Sequence, residues 1–183
     1  MSDYRRNYVP GGTYFFTVVT YDRRRILTGE TSRACLRRAI LAERIKRPFQ
    51  IIAFVLLPDH LHTVWTLPRG DAEFSLRWRK IKENYTRLLL KAEVPAGPRP
   101  IARPRRREQD VWQRRFWEHT CRGEDDLKRC VDYVHWNPVK HRLVRRAGDY
   151  PWSSFHRFVR EGEYGPDWGV EAPCSSMIGV EWD

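Results

Sequence analysis

The chain has no C-x-x-C pair: its four cysteines stand at 35, 121, 130 and 174. That spacing excludes a standard zinc finger and gives no sign of a disulfide framework. Near the start there is no apolar stretch of the signal-peptide kind, and no apolar run reaches the roughly 18 residues that span a bilayer. A soluble protein of the reducing cytoplasm, without a membrane partner, is expected. Internal repeats are absent. Acid is also in short supply, with 23 Asp and Glu against 34 Lys and Arg and a net charge of +11. Such a surplus points to a polyanion partner, most often nucleic acid. Against these absences stand 183 residues, 41% of them hydrophobic, and eight tryptophans. That suffices for one well-packed domain with a smaller addition.

The patterning alternates between two periods. Residues 1–12 form a basic, polar arm closed by Pro10-Gly11-Gly12. Tyr14 to Thr20 is aromatic and β-branched and predicts a strand, left through a basic loop at Arg23, Arg24 and Arg25. Residues 32 to about 46 carry an apolar face of Leu36, Ala39 and Ile40, which predicts a helix ended by Pro48. Two apolar runs, 50–57 and 61–67, follow as strands. Phe74, Trp78, Ile81, Tyr85, Leu88 and Leu89 then make the cleanest helical stripe in the chain. Residues 94–110, rich in proline, glycine and arginine, read as a flexible basic loop. Val111 to Thr120 has strand composition. Glu124, Asp125 and Asp126 open a last long helix, which Pro138 should end or kink near Trp136. Trp152 to Phe155 reads as a turn into a short helix ending near Arg160. The order β-α-β-β-α-β predicts an α+β, ferredoxin-like antiparallel sheet with helices on one face, plus a C-terminal helix and tail. The expected division is 1–140 as the catalytic domain with its basic arm, and 141–183 as a tail packed on it.

Two places carry chemistry. His60 and His62 head the second of the paired runs, and alternation along a strand points them the same way, about 7 Å apart. Together they can share a divalent ion or a phosphate, though two imidazoles bind weakly without a third group. Tyr133 and Asn137 are one helical turn apart on a stripe beside the apolar one, so both are expected at a half-exposed edge. A phenol of ordinary pKa near 10 is a poor nucleophile. Attack on phosphorus would need the phosphate's charge neutralised, as a divalent ion can do. The two places complement each other: imidazoles and an amide oxygen for a metal, one phenol to attack.

Phe54 to His62, with two histidines flanking a hydrophobic residue, resembles the HUH motif of single-tyrosine transposases. Gly12 to Thr17, Trp112-Gln113 with Phe116 to His119, Tyr133 to Val139, and Trp152 to Phe155 resemble the REP-associated tyrosine transposases, bacterial proteins linked to repetitive extragenic palindromes. The resemblance runs from about residue 5 to 158. It implies a ferredoxin-like domain that nicks and transfers single-stranded DNA at palindromic hairpins, using Mg²⁺ or Mn²⁺ and no nucleotide cofactor. His60, His62 and Asn137 match the family's metal ligands and Tyr133 its nucleophile, which would form a 5′-phosphotyrosyl intermediate. A monomer acting in cis is implied. One departure is visible: Arg142 stands where the family has glycine before Leu143-Val144, implying a changed turn or a small strain.

Interleaved arginines and aromatics suit a phosphate backbone and stacked bases. Arg5, Arg6, Asn7, Gly12 and Thr13 are candidates for reading a short single-stranded guide, and the resemblance assigns recognition to this region. Arg23, Arg24, Arg25, Arg77, Lys80, Arg105 and Arg106 are candidates for gripping the hairpin backbone. Two other readings stand beside the nicking enzyme: a binder of palindromic repeats that does not cut, and a metal-dependent phosphodiesterase using water instead of Tyr133.

Overall fold

A computed structural model describes residues 6–93 and 111–169. The expected flexible loop at 94–110, with its arginines, lies outside the described residues. Seven-residue strands β1 (Thr13–Val19), β2 (Gln50–Leu56) and β3 (His60–Thr66) and the short β4 (Trp117–Thr120) form one sheet in the order β2-β3-β1-β4. Every pairing is antiparallel. This is the ferredoxin-like arrangement that the element order predicts.

Alternation along the strands divides the sheet into two apolar faces. Tyr14, Phe16 and Val18 of β1 with Leu61 and Trp65 of β3 meet α1 (Glu30–Lys46) and α2 (Phe74–Lys91). Leu36, Ala39 and Ile40 come from α1, and Trp78, Ile81, Tyr85 and Leu89 from α2. Trp65 and Trp78 stack with centroids 4.3 Å apart. The opposite face presents Phe15, Ala53, Val55 and Val64 to α3 (Glu124–Lys140), whose Cys130, Val131, Tyr133 and Val134 pack down on it. Neither face of the sheet is open, and His60 and His62 lie on the α3 side.

The first three strands shift by one residue, and three elements differ further from the sequence reading. Strand β4 is only the last four residues of the predicted Val111–Thr120 run. Before it, Trp112 makes an isolated bridge to Thr20, Gln113 N–H donates to the Val19 carbonyl, and the Gln113 carbonyl accepts from Lys82 Nζ at 2.9 Å. Helix α1 begins two residues earlier than expected. Pro138 does not end α3, which continues to Lys140. It sits in the last turn, where its missing N–H removes a single rung, and its own carbonyl is satisfied by the Leu143 N–H.

The segment after α3 runs along the outer edge of β2. Leu56 N–H donates to the Trp152 carbonyl, Ser154 N–H to the Phe54 carbonyl, and Phe54 N–H to Ser154 Oγ. The edge strand therefore has hydrogen-bonding partners along this stretch. Ser154 Oγ also meets His135 Nε2 of α3 at 2.8 Å, and α4 (Phe155–Arg160) follows. The Trp-Ser-Ser-Phe stretch thus ties the sheet edge and α3 together.

Candidate active site

Strand β3 is flanked by β1 and β2, so its side chains are held on both sides. The register sets His62 opposite Thr17 and His60 opposite Val19. His60 Nδ1 lies 2.7 Å from Asp59 Oδ1, and His62 Nδ1 lies 2.9 Å from Thr17 Oγ1. Burial pushes the Asp59 carboxyl up, but the hydrogen bond and charge of His60, with Arg23 beyond, outweigh it and hold it below the ordinary value. An ionised carboxylate only accepts, so His60 Nδ1 donates in that contact. Thr17 Oγ1 can accept from His62 Nδ1–H and leave the same arrangement there. Both Nε2 atoms are buried without a hydrogen-bond partner. Burial, then the charges of His60, His141 and Lys140, drive the His62 pKa well below its ordinary value despite an opposing influence from Asn137. The ring is therefore a neutral donor near neutral pH.

Tyr133 and Asn137 do share a face of α3, but at 3% and 0% exposure they are buried, where half-exposure was expected. The difference comes from the second apolar face of the sheet. Seated on it, α3 presses the Tyr133 ring against the stacked pair Phe15 and His62, edge-on at 5.7 and 5.4 Å. Neither amide atom of Asn137 makes a hydrogen bond of normal geometry. Buried polar atoms are almost always satisfied, so His60 Nε2, His62 Nε2 and the Asn137 amide together require an explanation. Two imidazole nitrogens and an amide oxygen suit a divalent cation, and Asp59 and Thr17 are the outer partners that fix such ligands.

Two residues of the site were missed in the sequence. Lys140, a further turn along the same stripe, donates from Nζ to Tyr133 Oη at 2.8 Å. His141 stacks edge-on to His60 with centroids 4.9 Å apart. The i, i+4, i+7, i+8 series Tyr133, Asn137, Lys140, His141 was readable, but Pro138 obscured the continuity of the helix. Both added residues are partly exposed and form the rim over the buried phenol and imidazoles.

The nucleic-acid candidates separate by environment. Arg77 is corrected: it is 1% exposed and donates to both Asp71 oxygens and to the carbonyls of Arg47, Pro48 and Glu73. Its charge is spent inside the molecule, joining α2 to the end of α1, and cannot grip a backbone. Arg6 pairs with Glu118 and lies over the Phe116 ring at 3.9 Å. Asn7 donates to Thr120 Oγ1, and the Thr13 hydroxyl meets that of Thr66. Gly12 has no room for a Cβ, which would stand 2.9 Å from the Val9 carbonyl. The arm thus lies along the β4 side of the sheet. Arg23 and Arg25 are exposed, Arg24 half-buried against the Tyr21 carbonyl, and Lys80 pairs with Glu83. Arg23 reaches Asp59 at 3.4 Å, linking the basic loop to the partner of His60. Arg5, Arg105 and Arg106 lie outside the described residues. Among the described helices none is long and apolar enough to cross a membrane.

No family model matches the chain. Individual proteins do. A REP-associated tyrosine transposase of Escherichia coli (strain K12) is 45% identical over 170 residues, covering 92% of this chain and 91% of the relative. A Haemophilus influenzae protein assigned provisionally to the same family is 40% identical, covering 92% and 94%. Among solved structures, a REP-associated tyrosine transposase bound to a REP hairpin superposes with a TM-score of 0.77 at 42% identity, covering 93% of this chain and 94% of that one. Identity of this extent, on a fold that carries the paired histidines and the helix-borne tyrosine, makes the chain a member of the REP-associated tyrosine transposase family, enzymes of the tyrosine HUH class.

Proposed function

We propose that the protein nicks and rejoins single-stranded DNA at REP-type hairpins, with Tyr133 as the nucleophile. One observation carries this reading: the buried His60 Nε2, His62 Nε2 and Asn137 amide lack hydrogen bonds of normal geometry, and the His62 ring packs on a phenol that is itself held by Lys140. The solved relative bound to a REP hairpin supports the choice of substrate.

His60, His62 and Asn137 would hold a divalent ion, Mg²⁺ or Mn²⁺. When bound, it supplies Lewis-acid neutralisation of the scissile phosphate. Tyr133 Oη then attacks phosphorus, the P–O3′ bond breaks, and a 5′-phosphotyrosyl bond forms. The proton lost by the phenol is balanced by the one gained by the departing 3′-oxygen. Rejoining is the reverse attack by a 3′-hydroxyl, so the phosphodiester energy is kept and no nucleotide cofactor is called for. The Lys140 ammonium, already on Oη, favours negative charge developing there. Phe15 and the His62 ring restrict the phenol to a narrow range of approach, which holds it near its line of attack. Arg6 and Asn7 on the β4 side, Gly12 and Thr13 where the chain enters β1, and Arg23, Arg25 and Lys80 elsewhere, are the described residues proposed to meet the hairpin.

The test mixes purified protein with hairpin oligonucleotides from repeats beside its gene, plus Mg²⁺ or Mn²⁺. The readout is a covalent adduct on a denaturing gel. We expect an adduct with the wild type and none with Tyr133→Phe or His62→Ala. Tight binding with no adduct under either metal would establish a repeat binder that does not cut. Cleavage surviving Tyr133→Phe would establish attack by water.

A further inference from the structure

A second cluster of metal-binding side chains lies on the same helix, outside the site just described. His119 Nε2 and Asp126 Oδ2 are 2.8 Å apart. Donor atoms of His119, Asp126 and Cys130 all lie within 4.8 Å of one another. Cys121 packs on the same side beside Cys130 but stands outside that 4.8 Å group, and a turn of its side chain would bring its thiol in. Each position follows from the local structure. His119 and Cys121 are two apart where the chain runs along β1, with Cys121 N–H still donating to the Thr13 carbonyl, so both face α3. Asp126 and Cys130 are one turn apart on α3 and face back.

From this juxtaposition we infer that His119, Cys121, Asp126 and Cys130 form a tetrahedral site for a zinc-type ion that fastens α3 to β4. The donor set of one imidazole, two sulfurs and one carboxylate is soft, and selects Zn²⁺ or Co²⁺ over the Mg²⁺ or Mn²⁺ expected at His60 and His62. Zinc-finger spacing is absent from the sequence, but a site assembled from a strand end and one turn of helix needs no C-x-x-C pair. Binding would release both thiol protons, while the hydrogen now between His119 Nε2 and Asp126 moves to Nδ1, leaving a neutral imidazole to ligate through Nε2. The Arg122 N–H, which donates to Asp126 Oδ2 at 2.8 Å, already fixes that carboxylate. Cys130 precedes the nucleophile by three residues, so the ion would set the seat of the helix turn that carries Tyr133.

The full chain is stripped with chelator and titrated with Co²⁺ without Mg²⁺ or Mn²⁺, and near-ultraviolet and visible absorption is followed. The same titration is run on Cys121→Ser, Cys130→Ser and the double variant His60→Ala/His62→Ala. The expected result is one equivalent of Co²⁺ with a thiolate charge-transfer band, unchanged in the double variant and displaced by Zn²⁺. Cys121→Ser, at a half-buried position, should halve that band, and Cys130→Ser should abolish it. Absence of the band in folded wild type overturns the site. So does its loss in the double variant, a band unaffected by Cys121→Ser, or a Cys121–Cys130 disulfide that blocks binding after reduction is omitted and is not relieved by restoring it.

Discussion

Replacing Arg142 by glycine should make the protein more stable. The backbone there sits at φ +56°, in the left-handed region. The surrounding hydrogen bonds say why. Leu143 N–H donates to the Pro138 carbonyl and Arg142 N–H to the Val139 carbonyl. With Lys140 the last helical residue, these are the two bonds of a Schellman cap, and Leu143 adds the apolar contact that goes with it. The cap requires a positive φ whatever residue stands there. A side chain in that region costs about 1–2 kcal/mol, and glycine's greater freedom when unfolded returns about 0.5–1 kcal/mol of this. Arg142 is exposed, so little packing goes with it. The net gain is about 0.5–1 kcal/mol, a rise in Tm of about 1–4 °C for a chain of this size. Asparagine should fall between arginine and glycine, and valine below arginine. Urea unfolding of the four proteins in one buffer checks the order. Glycine equal to or less stable than arginine would refute the reasoning, because it would mean that the bend does not need the left-handed residue or that the guanidinium holds it.

Lys140→Met should slow single-turnover nicking by roughly 10²-fold at neutral pH, with much of the loss recovered in alkali, where a phenol ionises unaided; a uniform loss at all pH values would contradict a role on Tyr133 Oη. His135 is buried against Ser154 and Tyr164, and burial followed by the Arg157 charge lowers its pKa to about 3. The unfolded chain takes up that proton below about 6.5, so folding stability should fall with pH, by about 2 kcal/mol from this group between about pH 6.5 and pH 5. Urea midpoints for His135→Gln should lose that share of the slope, and an unchanged slope would refute the assignment. Arg77→Ala should cost about 3–5 kcal/mol of stability, since it removes the buried guanidinium that pairs with Asp71 and serves the Arg47 and Pro48 carbonyls. Its folded fraction should bind hairpin DNA as the wild type does, and a specific loss of hairpin affinity at full stability would return Arg77 to the DNA surface.

The fold was legible because its signals are periodic and local. The aromatic and β-branched run of β1, the apolar runs of β2 and β3 and the stripe from Phe74 to Leu89 each name an element without reference to any other. What was not legible depends on pairing across the molecule. Thr17 is the partner of His62 only through the β1–β3 register, and nothing near Thr17 marks it as part of a site. Arg77 reads as one more cation on a basic helix until the chain places Asp71, Arg47 and Pro48 around it. Charge counted along a sequence does not distinguish a guanidinium that meets solvent from one that closes a helix end.

The burial of Tyr133 has the same origin and bears on how the site works. A helical wheel gives angles within α3, but not how much of its circumference the sheet and the tail cover. Phe15 and His62 take one side of the ring, and Lys140 stands over its oxygen. The tail holds α3 in place through the Ser154–His135 contact and lies along β2, whose neighbour β3 bears both histidines. Tyr133 is thus fixed by elements far apart in sequence: β1, β3, the end of its own helix and the segment after it. A phenol held this closely loses little further freedom on reaching phosphorus, which is where positioning contributes to rate. Substitutions that loosen α3 from the sheet should therefore depress nicking before they depress hairpin binding, because the candidate DNA contacts lie in the arm and the basic loop rather than on α3.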